Sequence, residues 1–292
     1  MKILITGTNG EVGKEIANIL AKNKKYTLGL LGNKKNKKKS NYFKQNLLKP
    51  IKLKFKPQII IHCAAKHPNS KIGSDMKNIY LTNIKITKNL INFANKNNVK
   101  KIFFLSSIAV YGQTRNAIII ENQKPFEQNL YEKSKFVSEK LFCKKKNKFQ
   151  TLCLRIPGVF TANLKKDYPL ITKILKKIKS NEKVEVYNSN KKFNNVVDVL
   201  EITNFINYFL NKKRMQSGVY NFSASRPIKF INVIKTIKKL FKSKSIVTNK
   251  ISDKKTFIIS NNKIFKKFNF RTSETKKIIV RCCKNIIKNN KV

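Results

Sequence analysis

Glycine is scarce in this chain. Only nine occur in 292 residues, well under the usual ~7%, so each position that retains one is informative. Cysteine is sparse too: Cys63, Cys143, Cys153, Cys282 and Cys283 form no CxxC pair and no ligand spacing with the two histidines. That excludes a zinc centre as an expectation and points to reduced thiols in a cytoplasmic protein. No apolar run approaches the ~20 residues of a membrane span, and the stretch after Met1 is too short for a signal peptide. Acid is the largest deficit. Fourteen Asp+Glu stand against 65 Lys+Arg, a formal net charge of +51. Such an excess attracts polyanions and opposes compaction. The lysines, however, are spread over the whole length and form no basic arm. They also lack the aromatic interleaving of a single-strand binding surface. Nucleic acid is therefore not an expected partner beyond non-specific attraction. Hydrophobic residues make up 41%, which excludes a disordered chain. The length allows one large domain or two smaller ones.

Three of the nine glycines stand together in Thr6-Gly7-Thr8-Asn9-Gly10-Glu11-Val12-Gly13. A short apolar strand, Ile3 to Ile5, precedes them, and a helical pattern (Val12, Ile16, Ile19, Leu20) follows. Strand, spaced glycines and helix together make a dinucleotide-binding turn. The glycines let the backbone turn sharply and approach a pyrophosphate at the positive end of the helix. Gly7, Asn9, Gly10, Glu11, Val12 and Gly13 are the candidate cofactor residues here. A second strand, Tyr26 to Leu31, ends in Gly32-Asn33-Lys34-Lys35. An acid at this point would select NAD, and a basic residue would accept the 2′-phosphate of NADP. With no acid present the reading leans to NADP, with Asn33 and Lys34 as candidate contacts. After Asn46-Leu47-Leu48 an apolar strand, Ile59 to Cys63, ends in Ala64-Ala65, where small side chains permit close approach of a ligand. His62 and His67 flank this point and are expected to be structural hydrogen-bonding groups.

A long helix, Ile79 to Ala94, contains Asn83. Strand Lys101 to Leu105 runs into Ser106-Ser107, followed by Val110-Tyr111-Gly112 and a polar loop over 113–129. Tyr131-Glu132-Lys133-Ser134-Lys135 opens the next helix. Strand Thr151 to Ile156 ends in Pro157-Gly158. Alternating strands and helices imply an α/β fold, a doubly wound parallel sheet covered on both faces. Its ligands bind beyond the carboxyl ends of the strands, where Gly7, Ala64, Ser107 and Pro157 stand. Tyr131 and Lys135 are four apart and share a helix face. A free tyrosine, with a pKa of ~10, exchanges protons poorly at neutral pH. A cation beside it favours the phenolate, which makes the pair a candidate acid/base unit for a carbonyl or alcohol. Read alone, such a pair in a lysine-rich chain is more often a solvated helix face.

Beyond Pro157 the rhythm loosens: helix Leu170 to Ile178, strand Val184 to Tyr187, a helix to Leu210 with Asp198 as its N-cap, strand Gly218 to Phe222, and helix Pro227 to Phe241. The terminal helix ends in Lys/Asn and is expected to fray. The expected division is a dinucleotide-binding domain over 1–160, to which the chain returns around 193–212, and a smaller α/β domain over most of 161–292.

These landmarks, in order, resemble the extended short-chain dehydrogenase/reductases, the NAD(P)-dependent epimerase/dehydratase group. Thr6 to Gly13 matches TGxxGxxG, Ile61 to Ala65 the HxAA strand end, Ser106 to Gly112 SSxxVYG, and Tyr131 to Lys135 YxxSK with Glu139 following. Softer matches are Leu154 to Pro157, Val196 to Asp198 and Gly218 to Asn221. The resemblance implies a Rossmann-type fold with a smaller C-terminal substrate-binding domain. It assigns Tyr131 as proton donor and acceptor, Lys135 as the residue that lowers the tyrosine pKa and bonds the nicotinamide ribose, and Ser107 as the hydroxyl that orients the substrate oxygen. It extends the cofactor site to Asn46, Leu47, Ala64, Ala65, Asn83, Ser106 and Pro157. The implied reaction is epimerisation or reduction of a nucleotide-diphosphate sugar with NADP or NAD. Ile108-Ala109 replaces the adjacent Asp-Glu of the family's dehydratases, and an apolar pair cannot eliminate water by acid/base catalysis. Two alternatives share the fold: a non-catalytic NADP-sensing regulator, which would ordinarily lose Tyr131 or Lys135, and a reductase of a non-sugar carbonyl compound. The family often forms homodimers through a bundle containing the Tyr131 helix, which the basic stretch Lys144 to Lys148 here opposes.

Overall fold

The structure is a computed structural model and describes residues 1–34, 41–68, 75–114, 116–162, 164, 169–253 and 255–289. In chain order the elements begin β1 Lys2–Thr6, α1 Glu11–Leu20, β2 Thr27–Gly32, β3 Tyr42–Lys44, β4 Ile59–His62, α2 Met76–Lys96 and β5 Lys101–Ser107. A 3₁₀ turn, Ile108–Tyr111, leads to β6 Ile118–Ile119, α3 Leu130–Phe142 and β7 Gln150–Ile156. Then come α4 Leu170–Lys179, β8 Val184–Tyr187, β9 Lys192–Phe193, α5 Val199–Leu210, β10 Gly218–Asn221 and β11 Ile228–Lys229. The chain closes with α6 Phe230–Phe241, β12 Val247–Lys250, β13 Ile258–Ile259, α7 Asn262–Phe268 and α8 Thr275–Asn289. Residues 290–292, where fraying is expected, lie outside the described residues.

Two compact units are formed. The first comprises Met1–Gln113, Lys124–Arg155 and Thr203–Tyr220. Its seven-stranded sheet has the order β10-β7-β5-β4-β1-β2-β3. The pairs β1–β2, β1–β4, β2–β3 and β4–β5 are parallel. The strands run outward from β1 in one direction and from β4 in the other. This reversal is the topological switch point where α/β sheets bind ligands. Ile3, Leu4, Ile5, Ile60, Ile61, Ile102 and Phe103 are all fully buried. A strand covered on both faces needs such an unbroken apolar run, because neither side of the pleat meets water. On one face Leu4, Ile60, Ile102 and Phe104 pack with Ile86, Leu90 and Phe93 of α2 and Phe142 of α3. Thr87 Oγ1 and Ser138 Oγ, 2.9 Å apart, fix the register between these helices.

The second unit comprises Thr114–Gln123, Ile156–Ile202 and Asn221–Val292. Its core joins Ile171, Ile174, Leu175 and Ile178 of α4 to Val233, Ile234 and Ile237 of α6 and to Ile278, Ile279 and Ile286 of α8. Three two-stranded sheets, β8–β12, β9–β11 and β6–β13, edge it. Asp198 Oδ1 accepts from Glu201 N at 2.9 Å at the start of α5, and its Oδ2 accepts from Arg281 Nε at 2.7 Å. The stretch 113–129 is not wholly loop. It contains β6, whose Ile119 is fully buried and which pairs in parallel with β13. A two-residue strand whose partner is so distant leaves no local period to read.

Candidate active site

The site begins at the carboxyl ends of β1 and β4, either side of the switch point. Gly7 adopts φ +75°. A Cβ there would lie 2.7 Å from Ala64 N, closer than any side chain tolerates. A Cβ on Gly13 would lie 2.6 Å from Gly7 O, so this helix residue must also be bare for the turn to close. Gly10 N donates to Gly7 O at 2.9 Å. Gly10 is the N-cap of α1, and no side chain caps that helix end. The positive end of α1 is thus offered to an external anion through a turn stripped of side chains. Glu11 and Val12, both half-buried, form the first helical residues.

Asn9 faces inward. Its Oδ1 accepts from Asn33 N at 2.8 Å and Lys34 N at 3.2 Å. Tyr42 Oη lies 3.2 Å from the same oxygen and donates to Lys34 O at 2.6 Å. Asn9 therefore ties the glycine turn to the end of β2, and the side chains of Asn33 and Lys34 remain exposed. Asn46 Oδ1 accepts from Leu48 N at 2.9 Å, a local turn. Leu47 is buried, and its carbonyl accepts from Asn89 Nδ2 of α2 at 2.8 Å.

Beyond β4 stand Ala64 and Ala65, both half-buried. Asn83 fastens the loop they open: its Oδ1 accepts from Lys66 N at 2.8 Å, and its Nδ2 donates to Lys66 O at 3.1 Å and to Ser134 Oγ at 3.0 Å. Ser134 Oγ in turn donates to Tyr131 O at 2.6 Å. Asn83 is thus a brace between the sheet-end loop and α3. His62 is a buried core group. Its Nδ1 is 2.7 Å from Thr6 Oγ1, its ring stacks on Phe104 with centroids 5.5 Å apart, and burial, with Lys135 nearby, pulls its pKa down to about 3. His67 is exposed, and its ring centroid lies 5.1 Å from that of Tyr131.

Asn129 and Glu132 form a capping box at the start of α3, with Glu132 N donating to Asn129 Oδ1 at 3.0 Å and Asn129 N to Glu132 Oε2 at 2.9 Å. This sets the first turn, on which Tyr131 sits half-buried. One turn later Lys135 is 5% exposed. Of the described lysines only Lys101 and Lys135 are buried, so the solvated-face reading does not hold for Lys135. Its Nζ donates to Leu105 O at 3.0 Å and lies 4.9 Å from the Phe104 ring centroid. Burial pulls its pKa down to about 8, against the pull of Cys63 and Glu139. Ser107 closes β5 and caps the 3₁₀ turn, its Oγ accepting from Ala109 N at 3.1 Å.

Ser106 points the other way. It is buried, and its Oγ donates to Glu139 Oε1 at 2.5 Å. Arg155 of β7 donates to the same carboxylate through Nη2 at 2.8 Å and Nε at 3.1 and 3.2 Å. Motif spacing does not reveal this buried pair, nor the packing of His67 on Tyr131, because each is made between separate elements. Pro157 directly follows β7, is buried, and belongs to the second unit. Among the described residues no group of His, Cys, Asp or Glu is arranged to hold a metal, and no helix is long and apolar enough to cross a membrane.

The model of the NAD dependent epimerase/dehydratase family matches residues 3–222. A curated relative, ADP-L-glycero-D-manno-heptose-6-epimerase of Brachyspira hyodysenteriae, is 26% identical over 184 residues, 59% of this chain and 56% of that protein. The aligned part of the chain thus spans about half the length of that relative. Among solved structures, UDP-glucose 4-epimerase of Thermotoga maritima with UDP-glucose superposes with a TM-score of 0.81 at 17% identity, covering 100% of both chains. RMD of Pseudomonas aeruginosa complexed with NADPH gives 0.79 at 19% identity, covering 99% of each. At these identities the likeness is one of fold.

Proposed function

Since the chain belongs to the NAD dependent epimerase/dehydratase family, we propose that it is an NAD(P)-dependent epimerase or reductase of a nucleotide-diphosphate sugar. The observation that carries this reading is Lys135. A lysine is placed in the interior of the first unit, 5% exposed, four residues after a half-buried tyrosine and beside the strand that ends in Ser107. Holding an ammonium there is unfavourable for the fold, and an acid/base role for Tyr131 accounts for it.

The turn fits a dinucleotide. The side-chain-free surface at Gly7 and Gly13 and the uncapped start of α1 suit a pyrophosphate. Asn33 and Lys34, exposed and with no acid between them, suit a 2′-phosphate, so NADP is the preferred form. When bound, the nicotinamide supplies hydride transfer to and from a substrate carbon. The protein handles the oxygen on that carbon. Tyr131 gives or takes its proton. Ser107 Oγ accepts within the chain, which leaves its hydrogen to polarise the same oxygen. Lys135 would favour the phenolate and would help to hold the nicotinamide ribose of a bound cofactor. Ile108, buried, and Ala109 carry no proton between them, so 4,6-dehydration is not part of the activity. The names of the similar epimerases support a nucleotide-sugar substrate, and the bound NADPH of the Pseudomonas enzyme supports the cofactor class.

The test is Tyr131→Phe, assayed with UDP-, GDP- and dTDP-sugars and both dinucleotides. Turnover falls by roughly 10²- to 10⁴-fold, while NADPH affinity, read by fluorescence, stays within about threefold because the phenol makes no phosphate contact. Normal turnover by the variant sinks the mechanism. Failure of the wild type to bind either dinucleotide sinks the cofactor reading.

A further inference from the structure

One ion pair of the first unit lies outside the reacting groups yet joins the elements that carry them. Glu139 stands on α3 one turn beyond Lys135 and is 1% exposed. Its carboxylate accepts from Ser106 of β5, the residue before Ser107, and from Arg155 of β7 in a bidentate pair. The Arg155 guanidinium lies 4.7 Å from the ring centroid of Tyr111, at the end of the turn that Ser107 caps. Burial opposes the Arg155 charge, and its bonds to Glu139 drive it the other way. Stability alone does not explain such a pair. Two ions taken out of water are unfavourable, and an apolar pair of similar volume is often as stable.

We propose that Glu139 is the positioning residue of this site: its carboxylate locks the strand bearing Ser107 to the helix bearing Tyr131 and Lys135, and its charge holds the Lys135 ammonium. The inference rests on the reading of Tyr131 and Lys135 as the reacting pair. The geometric half follows from the bonds. Glu139 and Ser107 are linked through Ser106, so the spacing of Ser107 and Tyr131 is set from below the site. The electrostatic half follows from what surrounds Lys135. From β4 and its end come His62, held neutral by burial, and Cys63, whose thiol burial pushes up to about 12. Cys63 is therefore an uncharged thiol where Lys135 titrates. Against Glu139 stand Cys153, whose thiol burial also pushes up, and the Arg155 cation, both of β7, with Tyr111 of the turn after β5 against Arg155. Of the two groups that favour the Lys135 ammonium, Cys63 and Glu139, the thiol keeps its proton where Lys135 titrates, so until Tyr131 ionises the negative charge comes from Glu139.

Two variants test this. Glu139→Gln keeps shape and removes charge. Because it leaves Arg155 buried without its anion and can fail to fold, the double variant Glu139→Met with Arg155→Met removes both ions together. Each is compared with wild type in kcat, KM and NADPH affinity, and in the alkaline limb of the pH–rate profile. A second readout needs no turnover: the pH dependence of the difference in melting temperature between each protein and its Lys135→Met form, which titrates Lys135 itself. For Glu139→Gln the expected result is a kcat lower by roughly ten- to a hundredfold with KM and NADPH affinity nearly unchanged, and both pH readouts moved to lower pH by about one unit. In the double variant, where an anion and a cation leave together, kcat falls likewise while the pH readouts move much less. If kcat falls in Glu139→Gln but neither pH readout moves, or, where that variant does not fold, if the double variant keeps its kcat, Glu139 is a packing residue and the inference is overturned. If the wild type turns over none of the sugars yet the melting readout shifts, the nucleotide-sugar reading fails and the hold of Glu139 on Lys135 is supported.

Discussion

Lys135 carries a charge where the surroundings disfavour one, and that has a measurable consequence. Burial pulls its pKa down from the usual lysine value of 10.5 to about 8. At ~1.4 kcal/mol per unit this is ~3 kcal/mol of lost stability at neutral pH. The sign is fixed by which form the fold disfavours. Below about 8 the residue is charged folded and unfolded, so the whole penalty applies. Between about 8 and 10.5 only the unfolded chain binds the proton, and the penalty is relieved as pH rises. Lys135→Met, close in length but apolar, should therefore raise the melting temperature of the cofactor-free protein at pH 7 by about 4 °C. The gain should shrink as pH rises through this window, and turnover should be lost. A variant less stable than wild type at pH 7 would mean that the bond to Leu105 O outweighs the burial of the charge. The Tyr131–Lys135 spacing is legible in the chain because i,i+4 is local helix geometry. The burial of Lys135 is not, since it depends on Leu105 and Phe104 of another element. Glu139 is harder still: its partners Ser106 and Arg155 are 33 and 16 residues away, and Glu and Arg are residue types found mostly at surfaces.

Among elements, β5 does more than present Ser107. Its first residue, Lys101, is 5% exposed and donates from Nζ to Phe209 O at 2.9 Å and also to Lys212 O. Both carbonyls lie at the carboxyl end of α5, where a helix leaves its acceptors unpaired and favours a cation. Burial pulls the Lys101 pKa down, and these acceptors compensate. Lys101→Met removes the donor and should destabilise by ~1–3 kcal/mol. In urea the midpoint falls while the m-value stays constant. An unchanged midpoint would show that water replaces the ammonium without loss. The elements differ in how far the chain reveals them. The strands β1, β4, β5 and β7 show as apolar runs, and α2 and α3 show in their helical periodicity. The short strands β6, β9, β11 and β13 have two residues each, too few for any period, and exist only through their pairing. The glycine turn is legible for a different reason: in a glycine-poor chain the residues that the backbone requires stand out by composition alone.

At the scale of the whole molecule the dominant quantity is the charge of +51. Only 14 acidic residues are present, and several of them, Glu139, Asp198 and Glu201, are buried in pairs with Arg155 or Arg281. Pairs nearer the solvent, such as Arg226–Glu274 and Lys250–Glu185, contribute little to stability. Most of the lysines therefore repel one another without compensation, and the folded state concentrates that repulsion relative to the unfolded chain. The apolar cores of the two units must outweigh it. Screening reaches this term first, because exposed charges interact across solvent: the Debye length shrinks from ~30 Å at 0.01 M salt to ~3 Å at 1 M. In a protein held together by surface ion pairs, added salt weakens the fold. Here it should do the opposite. Raising sodium chloride from about 0.02 M to about 0.5 M should raise the melting temperature steadily, with most of the rise in the lower half of the range, where the screening length crosses the spacing between neighbouring lysines. Scanning fluorimetry across a salt series checks this. A melting temperature that is flat or falls would mean that the lysines are already neutralised by bound anions, and the reading of the excess charge as uncompensated would have to be given up.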